Sequence, residues 1–449
     1  MEKNEILRLT AVDYTEQGLA VCKVDGFVVF VKDMLVGEEA DVQLLKVNKK
    51  LAYGRVKEFI KKSKDRVVPT CPIAYSCGGC QVQHMSYEHQ LYFKHNHVKH
   101  LFDRSFEQKF DILPVIGMEN PWMYRNKSQV PFETKKGLTY GFYRSHSHDI
   151  LPFETCFIQN DDSNKILAFI KDFYVEHEVT PEDLRHVLIK KGIVSEEIMV
   201  VFIHKNKHLP LQDKIVEALK ETFPNIKAIL LNVNPADDNV ILGKKTIQLT
   251  KESKITDQLG DFTFQISANS FYQVNPVQAK KLYETAIDFA NIQSHEIVLD
   301  LYCGIGTIAL FASQKAKKVY GAEINPQAID DARINAEINN ISNIEFVVAD
   351  AAIATKMLVE NNVKMDVIVV DPPRKGLDQD TIDAIKTLEP SRLVYVSCDP
   401  STLVRDCVLL QDKYKIERIQ PVDMFPQTFH VETCVLLSHK KSQASSPSL

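Results

Sequence analysis

Residues 296–307 read EIVLDLYCGIGT, an apolar run followed by a turn with two glycines. A run that is apolar on both faces is typical of a strand buried in a parallel sheet. Gly304 and Gly306 after such a strand would let a ligand approach the backbone. The stretch therefore predicts the first strand of an α/β sheet with a ligand-binding turn at its end. It lacks the full G-x-G-x-x-G spacing, so the indication of a dinucleotide is weak.

Similar apolar runs recur after this stretch at a spacing of roughly 22 to 27 residues, with helix-like segments between them. They read KVYGAE, IEFVVAD, DVIVVDPP and LVYVSC. The alternation predicts an α/β Rossmann-like domain with a doubly wound parallel sheet over residues 266–441. The low-complexity tail, residues 442–449, is predicted to be disordered.

The N-terminal part, residues 1–62, has short Val-rich segments separated by glycine turns, which predicts a small β-barrel. Nine Lys or Arg lie between positions 46 and 66, against Glu58 and Asp65. On a small barrel this run favours contact with nucleic-acid phosphates over a merely solvated face. Residues 63–265 predict a central α+β domain, and its helical part near residues 84–115 is expected to pack on the catalytic domain.

Composition limits the class of protein. The chain has 449 residues, 45% of them hydrophobic and 25% charged, as in ordinary globular proteins. No apolar run reaches the roughly 18 residues of a membrane span, and no secretory signal is visible. Nine cysteines, an odd number, indicate metal binding or catalysis before disulfides. We expect a cytoplasmic monomer without membrane contact.

Acidic residues follow the predicted strands at the edge where such sheets bind ligands. Glu323 lies 23 residues after Asp300 and suits ribose hydroxyls, and Asp350 suits an adenine amino group. The fourth strand ends in Asp371, within DPPRKG. Any one of these could be a turn cap, but together they resemble the S-adenosylmethionine site of Rossmann-like methyltransferases. DPP also resembles the (D/N)-P-P-(Y/F/W) motif of amino-group methyltransferases, but Arg374 replaces the aromatic residue and argues against amine methylation.

Cys398 ends the fifth predicted strand, beside the strand that carries Asp371. Carbon 5 of uracil is a poor nucleophile until a thiolate adds to carbon 6, which is covalent catalysis. A base must then remove the proton from carbon 5 so that the cysteine can leave. A buried, inert cysteine is the plain alternative, but the polar exit Ser397-Cys398-Asp399-Pro400 favours a thiol that faces a cleft.

Five stretches resemble the RNA 5-methyluridine (uracil-5-) methyltransferase family: SCDPSTLVRD, VDPPRKGLD, FYQVN, DLYCGIGT and DMFPQTFHVET. The resemblance implies a class I methyltransferase domain that uses S-adenosylmethionine and a TRAM domain for the barrel. It implies Cys398 as nucleophile and Glu432 as proton acceptor. The residues implied for donor binding are Gln273, Tyr302, Glu323, Asp371 and, more weakly, Asp350.

Asp399 departs from that family, which usually has Asn after the nucleophile. An aspartate facing the thiolate would raise the pKa of the cysteine. We expect Asp399 instead to point away and to cap the helix that follows.

Cys71, Cys77 and Cys80 form a C-x5-C-x2-C motif, and Cys156 is the unassigned cysteine nearby. Four thiolates suit a structural zinc or a 4Fe-4S cluster, and spacing alone favours neither. Radical S-adenosylmethionine chemistry uses a different triplet, C-x3-C-x2-C. The resemblance implies a 4Fe-4S cluster, which part of the family carries.

The RNA partner is less determined by the sequence. Arg125 and Lys127, in YRNKSQVPF, are predicted to contact RNA, although a sheet edge with solvated cations would look the same. The barrel and the cysteine motif together favour 23S ribosomal RNA, before ribosome assembly is complete, over transfer RNA. Cytosine-5 methylation is an alternative, but enzymes of that class usually carry Pro-Cys and Thr-Cys signatures, whereas Cys398 stands in Ser-Cys-Asp. A non-catalytic iron-sulfur RNA-binding protein is the other.

Overall fold

The computed structural model describes residues 1–134, 137–145, 147–236, 238–361 and 363–443. A 3-10 helix, Lys440–Gln443, is the last element in these ranges. The predicted disordered tail, residues 442–449, lies outside the described residues from position 444 onward. Within the described ranges, no helix has the length and apolar character needed to cross a membrane.

The N-terminal segment forms a closed five-stranded barrel in the order β1-β2-β3-β5-β4, as the sequence predicted. Its strands are β1 (Ile6–Tyr14), β2 (Ala20–Val24), β3 (Phe27–Lys32), β4 (Glu39–Val47) and β5 (Leu51–Lys61). Alternate side chains point inward, such as Leu9 and Ala11 on β1, and they form the barrel core.

The basic run at the end of the barrel divides into two kinds of side chain. Arg66 is structural, because its Nε lies 2.6 Å from Glu38 Oε1 and its guanidinium stacks 4.3 Å from the ring of Phe59. Lys49 and Lys50, in contrast, are exposed. The exposed lysines therefore keep the predicted role toward RNA phosphates, and Arg66 does not.

Helix α1 (Tyr87–Ser105) follows the barrel and begins at Ser86, whose side chain accepts a hydrogen bond from the backbone N–H of His89. Lys94 is fully buried and forms an ion pair with Asp423, which also accepts a hydrogen bond from the Tyr87 hydroxyl. Removing one partner of a buried pair typically costs about 3–5 kcal/mol. The pair thus fixes α1 to the C-terminal domain.

The central region contains a seven-stranded sheet in the order β12-β11-β10-β9-β6-β7-β8. Its strands are β6 (Lys127–Glu133), β7 (Thr139–Tyr143), β8 (Ile150–Pro152), β9 (Leu184–Lys191), β10 (Ile198–His204), β11 (Ile226–Val233) and β12 (Lys245–Gln248), with helices α2 (Asp161–Glu176) and α3 (Gln212–Thr222). Every residue of β10 is buried, because the sheet is covered on both faces. Phe202 packs with α2 and α3, whereas Val201 packs into the core of the C-terminal domain.

The C-terminal domain begins with a hairpin and a helix, and a second seven-stranded sheet follows in the order β17-β16-β15-β18-β19-β21-β20. The hairpin and first helix are β13 (Ile255–Leu259), β14 (Phe262–Ile266) and α4 (Pro276–Ala290). The sheet strands are β15 (Ile297–Leu301), β16 (Lys318–Glu323), β17 (Ile344–Val348), β18 (Val367–Val370), β19 (Arg392–Ser397), β20 (Tyr414–Val422) and β21 (Glu432–His439). The connecting helices are α5 (Thr307–Ser313), α6 (Pro326–Ile338), α7 (Ala351–Glu360), α8 (Gln379–Leu388) and α9 (Pro400–Leu410).

The first five strands of this sheet are parallel, as the alternation of strands and helices predicted. The sequence did not predict the last two strands, which are antiparallel, with β21 between β19 and β20. Because β21 runs against β19, its first residues lie beside the last residues of β19, and Ser397 pairs with Thr433.

The segment after α1 extends the edge of the same sheet. Ile112 and Ile116 form parallel bridges with Ile419 and Val422 of β20. Residues far apart in sequence therefore complete one sheet, and α1 lies against it through Val98 and neighbouring apolar residues.

Candidate active site

Cys398 lies directly after β19, at the carboxyl edge of the sheet, and is half-buried. Neighbouring strands bring two acids to it, because Asp371 follows β18 on one side and Glu432 begins β21 on the other. Both carboxyls are close enough to Cys398 to raise the pKa of its thiol. The sheet therefore brings a thiol and two carboxyls together at one edge.

Burial and nearby acids favour the protonated thiol of Cys398. Burial is the largest cause, and together with Glu432 and Asp371 it raises the pKa of Cys398 to about 12, while Arg374 acts in the opposite direction. Burial, with a contribution from Asp371, raises the pKa of Glu432 to about 8. Burial alone raises the pKa of Asp371 to about 7. An added positive charge would lower all three of these pKa values.

Asp399 caps helix α9, as expected from the sequence. Its Oδ1 accepts hydrogen bonds from the backbone N–H groups of Ser401 at 3.0 Å and Thr402 at 3.4 Å. Its charge still raises the pKa of Cys398, but it is the smallest of the named causes. The cap is therefore its main role.

A cavity of about 200 Å³ opens in front of Cys398 between three parts of the chain. The barrel contributes Glu16 and α1 contributes His97 to its lining. The C-terminal domain contributes Arg374 and His430, and Arg374 Nη2 lies 3.2 Å from His430 Nδ1. Burial and the nearby cations Arg374 and Lys94 lower the pKa of His430 to about 4, so its imidazole is neutral at pH 7.

A second, narrow cavity of about 50 Å³ lies on the other side of Asp371. Of the predicted donor residues, Gln273, Tyr302 and Asp371 line it, together with Gly304 of the glycine turn. The central region holds the Gln273 loop in place, since Asn126 Nδ2 donates to the Gln273 carbonyl oxygen at 3.0 Å.

Glu323 and Asp350, the other two residues predicted to bind the donor, are not among the described residues that line this cavity. Glu323 accepts hydrogen bonds from the backbone N–H groups of Gly304 at 3.3 Å and Asn325 at 2.9 Å, so it braces the glycine turn. Asp350 is the N-cap of α7 and accepts from the Ala352 N–H at 3.0 Å. An aspartate directly before a helical run is an N-cap signal that the sequence already contained.

Sequence reasoning gave no site role to Asp300, Arg374 or His430. Asp300 is fully buried, and its carboxyl oxygens have no hydrogen-bond partner among the described residues. Burial and the charge of Asp371 raise its pKa well above the usual range. The sequence signal for Asp300 was an acidic residue inside an apolar strand. Arg374 and His430 lie within the motifs DPPRKG and HVET.

The four predicted ligand cysteines, Cys71, Cys77, Cys80 and Cys156, line one cavity of about 320 Å³ in the central region. Burial raises the pKa of Cys80 to about 12 and that of Cys156 to about 11. Within the described ranges, no group of three or more His, Cys, Asp or Glu side chains is arranged to hold a metal ion. The thiols therefore surround a space and do not converge on one point.

Arg125 and Lys127, predicted to contact RNA, line this same cysteine cavity. The Nε of Arg125 is buried and has no hydrogen-bond partner in the described part of the chain. Burial is the main cause that lowers the pKa of Lys127.

Two family models match the chain: tRNA (Uracil-5-)-methyltransferase over residues 86–440, and TRAM domain over residues 4–57. The chain belongs to the tRNA (uracil-5-)-methyltransferase family. The family resemblance and the TRAM assignment drawn from the sequence are thereby confirmed, and the protein is an RNA methyltransferase.

Relatives match over nearly the whole length. An uncharacterized RNA methyltransferase of Oceanobacillus iheyensis is 45% identical and is covered over 98% of both chains. One from Staphylococcus aureus strain MSSA476 is 42% identical, over 98% of this chain and 99% of the relative. Among solved structures, the tRNA (uracil-54, C5)-methyltransferase of Pyrococcus abyssi in complex with S-adenosyl-L-homocysteine has a TM-score of 0.77 and 27% identity. That match covers 96% of this chain and 99% of the other.

Proposed function

We propose that the protein transfers a methyl group from S-adenosylmethionine to carbon 5 of a uridine in RNA, with Cys398 as nucleophile and Glu432 as proton acceptor. The observation that carries the proposal is the meeting of Cys398, Asp371 and Glu432 at the ends of three neighbouring strands. A thiol and a nearby carboxyl are the two groups that this chemistry requires.

The buried carboxyls around Asp371 suit the positive charge of the methyl donor. Asp300, Asp371 and Glu432 are carboxyls whose pKa values burial raises, and Asp300 has no hydrogen-bond partner among the described residues. A cation next to them would relieve both their desolvation and their mutual repulsion. S-adenosylmethionine supplies an electrophilic methyl group on such a cation, a sulfonium. The family relative of P. abyssi binds S-adenosyl-L-homocysteine, the product of such a transfer.

The first step is the activation of uracil. The thiol of Cys398 releases its proton to solvent, and its sulfur then forms a bond to carbon 6. The electron pair of the 5,6 double bond moves toward carbon 5 and the carbonyl oxygen at carbon 4, so carbon 5 becomes nucleophilic and accepts the methyl group. Arg374 favours the thiolate, because its positive charge lowers the pKa of Cys398.

The second step restores the aromatic base. The Glu432 carboxylate takes the proton from carbon 5, the 5,6 double bond re-forms, and the bond from carbon 6 to the sulfur of Cys398 breaks. Glu432 is buried, and its pKa is raised to about 8, so it must lose its own proton to solvent before it can act as a base. A cation beside it would lower its pKa and favour the carboxylate. The net reaction exchanges the hydrogen on carbon 5 for a methyl group and releases one proton.

The proposed substrate is 23S ribosomal RNA, and transfer RNA is the second candidate. The argument for ribosomal RNA depends on the presence of both the barrel and the cysteine motif. The P. abyssi relative matches 96% of this chain, and its name specifies transfer RNA, so overall domain content does not separate the two substrates. Both RNAs therefore belong in the same assay.

We also propose a 4Fe-4S cluster on Cys71, Cys77, Cys80 and Cys156. The fit is supported by the four thiols around one cavity and by the unpartnered Arg125 Nε that lines it. Zinc bonds to sulfur at about 2.3 Å would draw the thiols toward a point, whereas an iron-sulfur core fills a space. A structural role is expected for such a cluster, since it would tie the loop of the first three cysteines to the segment around Cys156.

The test is methyl transfer from labelled donor to unmodified 23S ribosomal RNA and transfer RNA transcripts, with the product nucleoside identified by mass spectrometry. Labelled 5-methyluridine that disappears in Cys398→Ala supports the proposal, and Glu432→Gln is expected to accumulate a covalent protein–RNA adduct. Ser401→Ala, which lines the same cavity, is the control. Labelled methylcytidine, or turnover in Cys398→Ala, would overturn it.

A further inference from the structure

The cysteine cavity contains two cations, Arg125 and Lys127, that have no acidic partner among the residues described. Arg125 lies just before β6 in an isolated bridge with Gln159, Lys127 and Gln129 lie on β6, and all three line the cavity. Successive side chains of a strand point to opposite faces, so the residues between them point elsewhere. Ser128, for example, is fully buried away from the cavity, and Asn126 binds the Gln273 loop.

The cavity lining is positive. Apart from the four cysteines, its charged residues are Arg125 and Lys127, and no Asp or Glu lines it in the described part of the chain. The Arg125 Nε is buried without a hydrogen-bond partner there. Burying a cation without an acceptor is costly, so the cavity is built for an anion.

A 4Fe-4S cluster on four thiolates is such an anion. Four thiolate charges exceed the charge of the oxidised core, and the complex carries about two net negative charges, with one more when it is reduced. The reduction potential of a cluster depends on its net charge and on hydrogen bonds to its sulfurs. Nearby cations therefore favour the reduced form.

We propose that Arg125 and Lys127 are charge-compensating residues of the iron-sulfur cluster, which raise its reduction potential, and that they do not bind RNA phosphates. The inference rests on the proposed cluster. It replaces the expectation, drawn from the sequence, that these two residues hold RNA. The exposed Lys49 and Lys50 of the barrel are better placed for phosphates, because their charges stand in solvent.

The experiment uses the full-length protein with its cluster reconstituted anaerobically and its iron and sulfide content measured. The midpoint potential is read from a redox titration followed by electron paramagnetic resonance. The variants are Arg125→Gln and Lys127→Met, and Arg125→Lys serves as the charge-conserving rescue. Lys165→Gln is the matched control, since Lys165 is 61% exposed and pairs with Asp161 on α2 of the same region.

At the wild-type midpoint, we expect the ratio of reduced to oxidised cluster to fall about tenfold in each neutral variant, a shift of about 59 mV for one electron. Arg125→Lys should restore most of the ratio, and Lys165→Gln should leave it unchanged. The slope of RNA affinity against salt should stay at the wild-type value in all variants.

Three results would overturn the inference, and they are distinguishable. A wild-type protein that carries iron and sulfide but shows equal potentials in all variants removes the role of the two cations and leaves the cluster proposal intact. A salt slope that falls by about one in Lys127→Met would return that residue to RNA contact. A wild-type protein that takes up no iron overturns the cluster proposal and the inference together.

Discussion

Two groups of cysteines in this chain occupy opposite electrostatic surroundings. Cys398 stands among carboxyls, with Glu432 and Asp371 as the strongest charged neighbours. The cysteines of the central cavity share that cavity with Arg125 and Lys127, and no acid lines it in the described ranges. Burial raises the pKa of the thiol in both places.

The difference shows how one side chain serves two purposes. A thiol surrounded by acids stays protonated and inert until a positive charge arrives, so its reactivity can depend on the bound methyl donor. The cations in the central cavity would stabilise thiolate charge on the cysteines there, as the proposed cluster requires. Burial raises the pKa of the thiol in both groups, so the two groups differ in the sign of the charged side chains beside them.

The largest expected effect is a loss of methyl transfer that occurs when Cys398 is replaced. Cys398→Ala should reduce methyl transfer by at least about 10³-fold, because the nucleophile is lost. Cys80→Ser should abolish the visible absorbance of a cluster. In Cys80→Ser, however, Cys398 should still react with iodoacetamide, as mapped by mass spectrometry. If Cys80→Ser left the absorbance intact, the cavity would not be a cluster site.

The second effect concerns pH. With a pKa of about 12, the thiolate fraction of Cys398 should rise nearly tenfold per pH unit, so alkylation should accelerate by about 100-fold between pH 7.5 and 9.5. Glu432, with a pKa of about 8, ionises in this range and opposes the rise. Glu432→Gln should therefore react several-fold faster than wild type at pH 9.5. An alkylation rate that stops rising above pH 8.5 would show that Cys398 has an ordinary pKa.

A third effect depends on the donor. S-adenosylmethionine carries a sulfonium charge and should increase the alkylation rate of Cys398 several-fold at pH 8, because a nearby cation lowers the pKa of a thiol. S-adenosylhomocysteine has the same shape without that charge and should not. If both compounds slowed the alkylation of Cys398 equally, steric shielding of the thiol would outweigh the effect of the sulfonium charge.

The smallest effect is expected at Asp399. Asp399→Asn keeps an N-cap acceptor and removes the weakest of the charges on Cys398, so alkylation should change by less than about twofold. Asp399→Ala loses the cap of α9 and should cost about 1 kcal/mol, measured by thermal unfolding. A rate change in Asp399→Asn as large as that in Glu432→Gln would show that its carboxylate faces the thiol.

The parallel half of the site could be predicted from sequence because its residues follow continuous apolar runs. Strands of that kind end at one edge of a sheet, which brings Asp371 and Cys398 together whatever the details of packing. Glu432 could not be found this way. It begins an antiparallel strand inserted between two others, and only the family resemblance indicated it.

Some assignments depend on the surroundings of a side chain, which the local sequence pattern does not determine. Alternation along an extended segment predicts that Arg125 and Lys127 share a face, but not that this face lines the cysteine cavity. Asp350 was assigned to the donor because it ends a strand; it also caps the following helix, and its contact with the donor stays a prediction. The local sequence pattern predicts the face of an element on which a side chain lies. Tertiary packing determines which residues that side chain contacts.

The bridge between Ile112 and Ile419 has a consequence for synthesis on the ribosome. About 300 residues separate these partners, so at about 5–20 residues per second the apolar face of α1 emerges about 15–60 s before its binding surface exists. The barrel has all of its strands by then, but Val98 and Phe102 do not yet have the β20 and α9 surface against which they pack. The nascent chain therefore exposes a hydrophobic helix for most of its translation, a period in which chaperone binding would protect it.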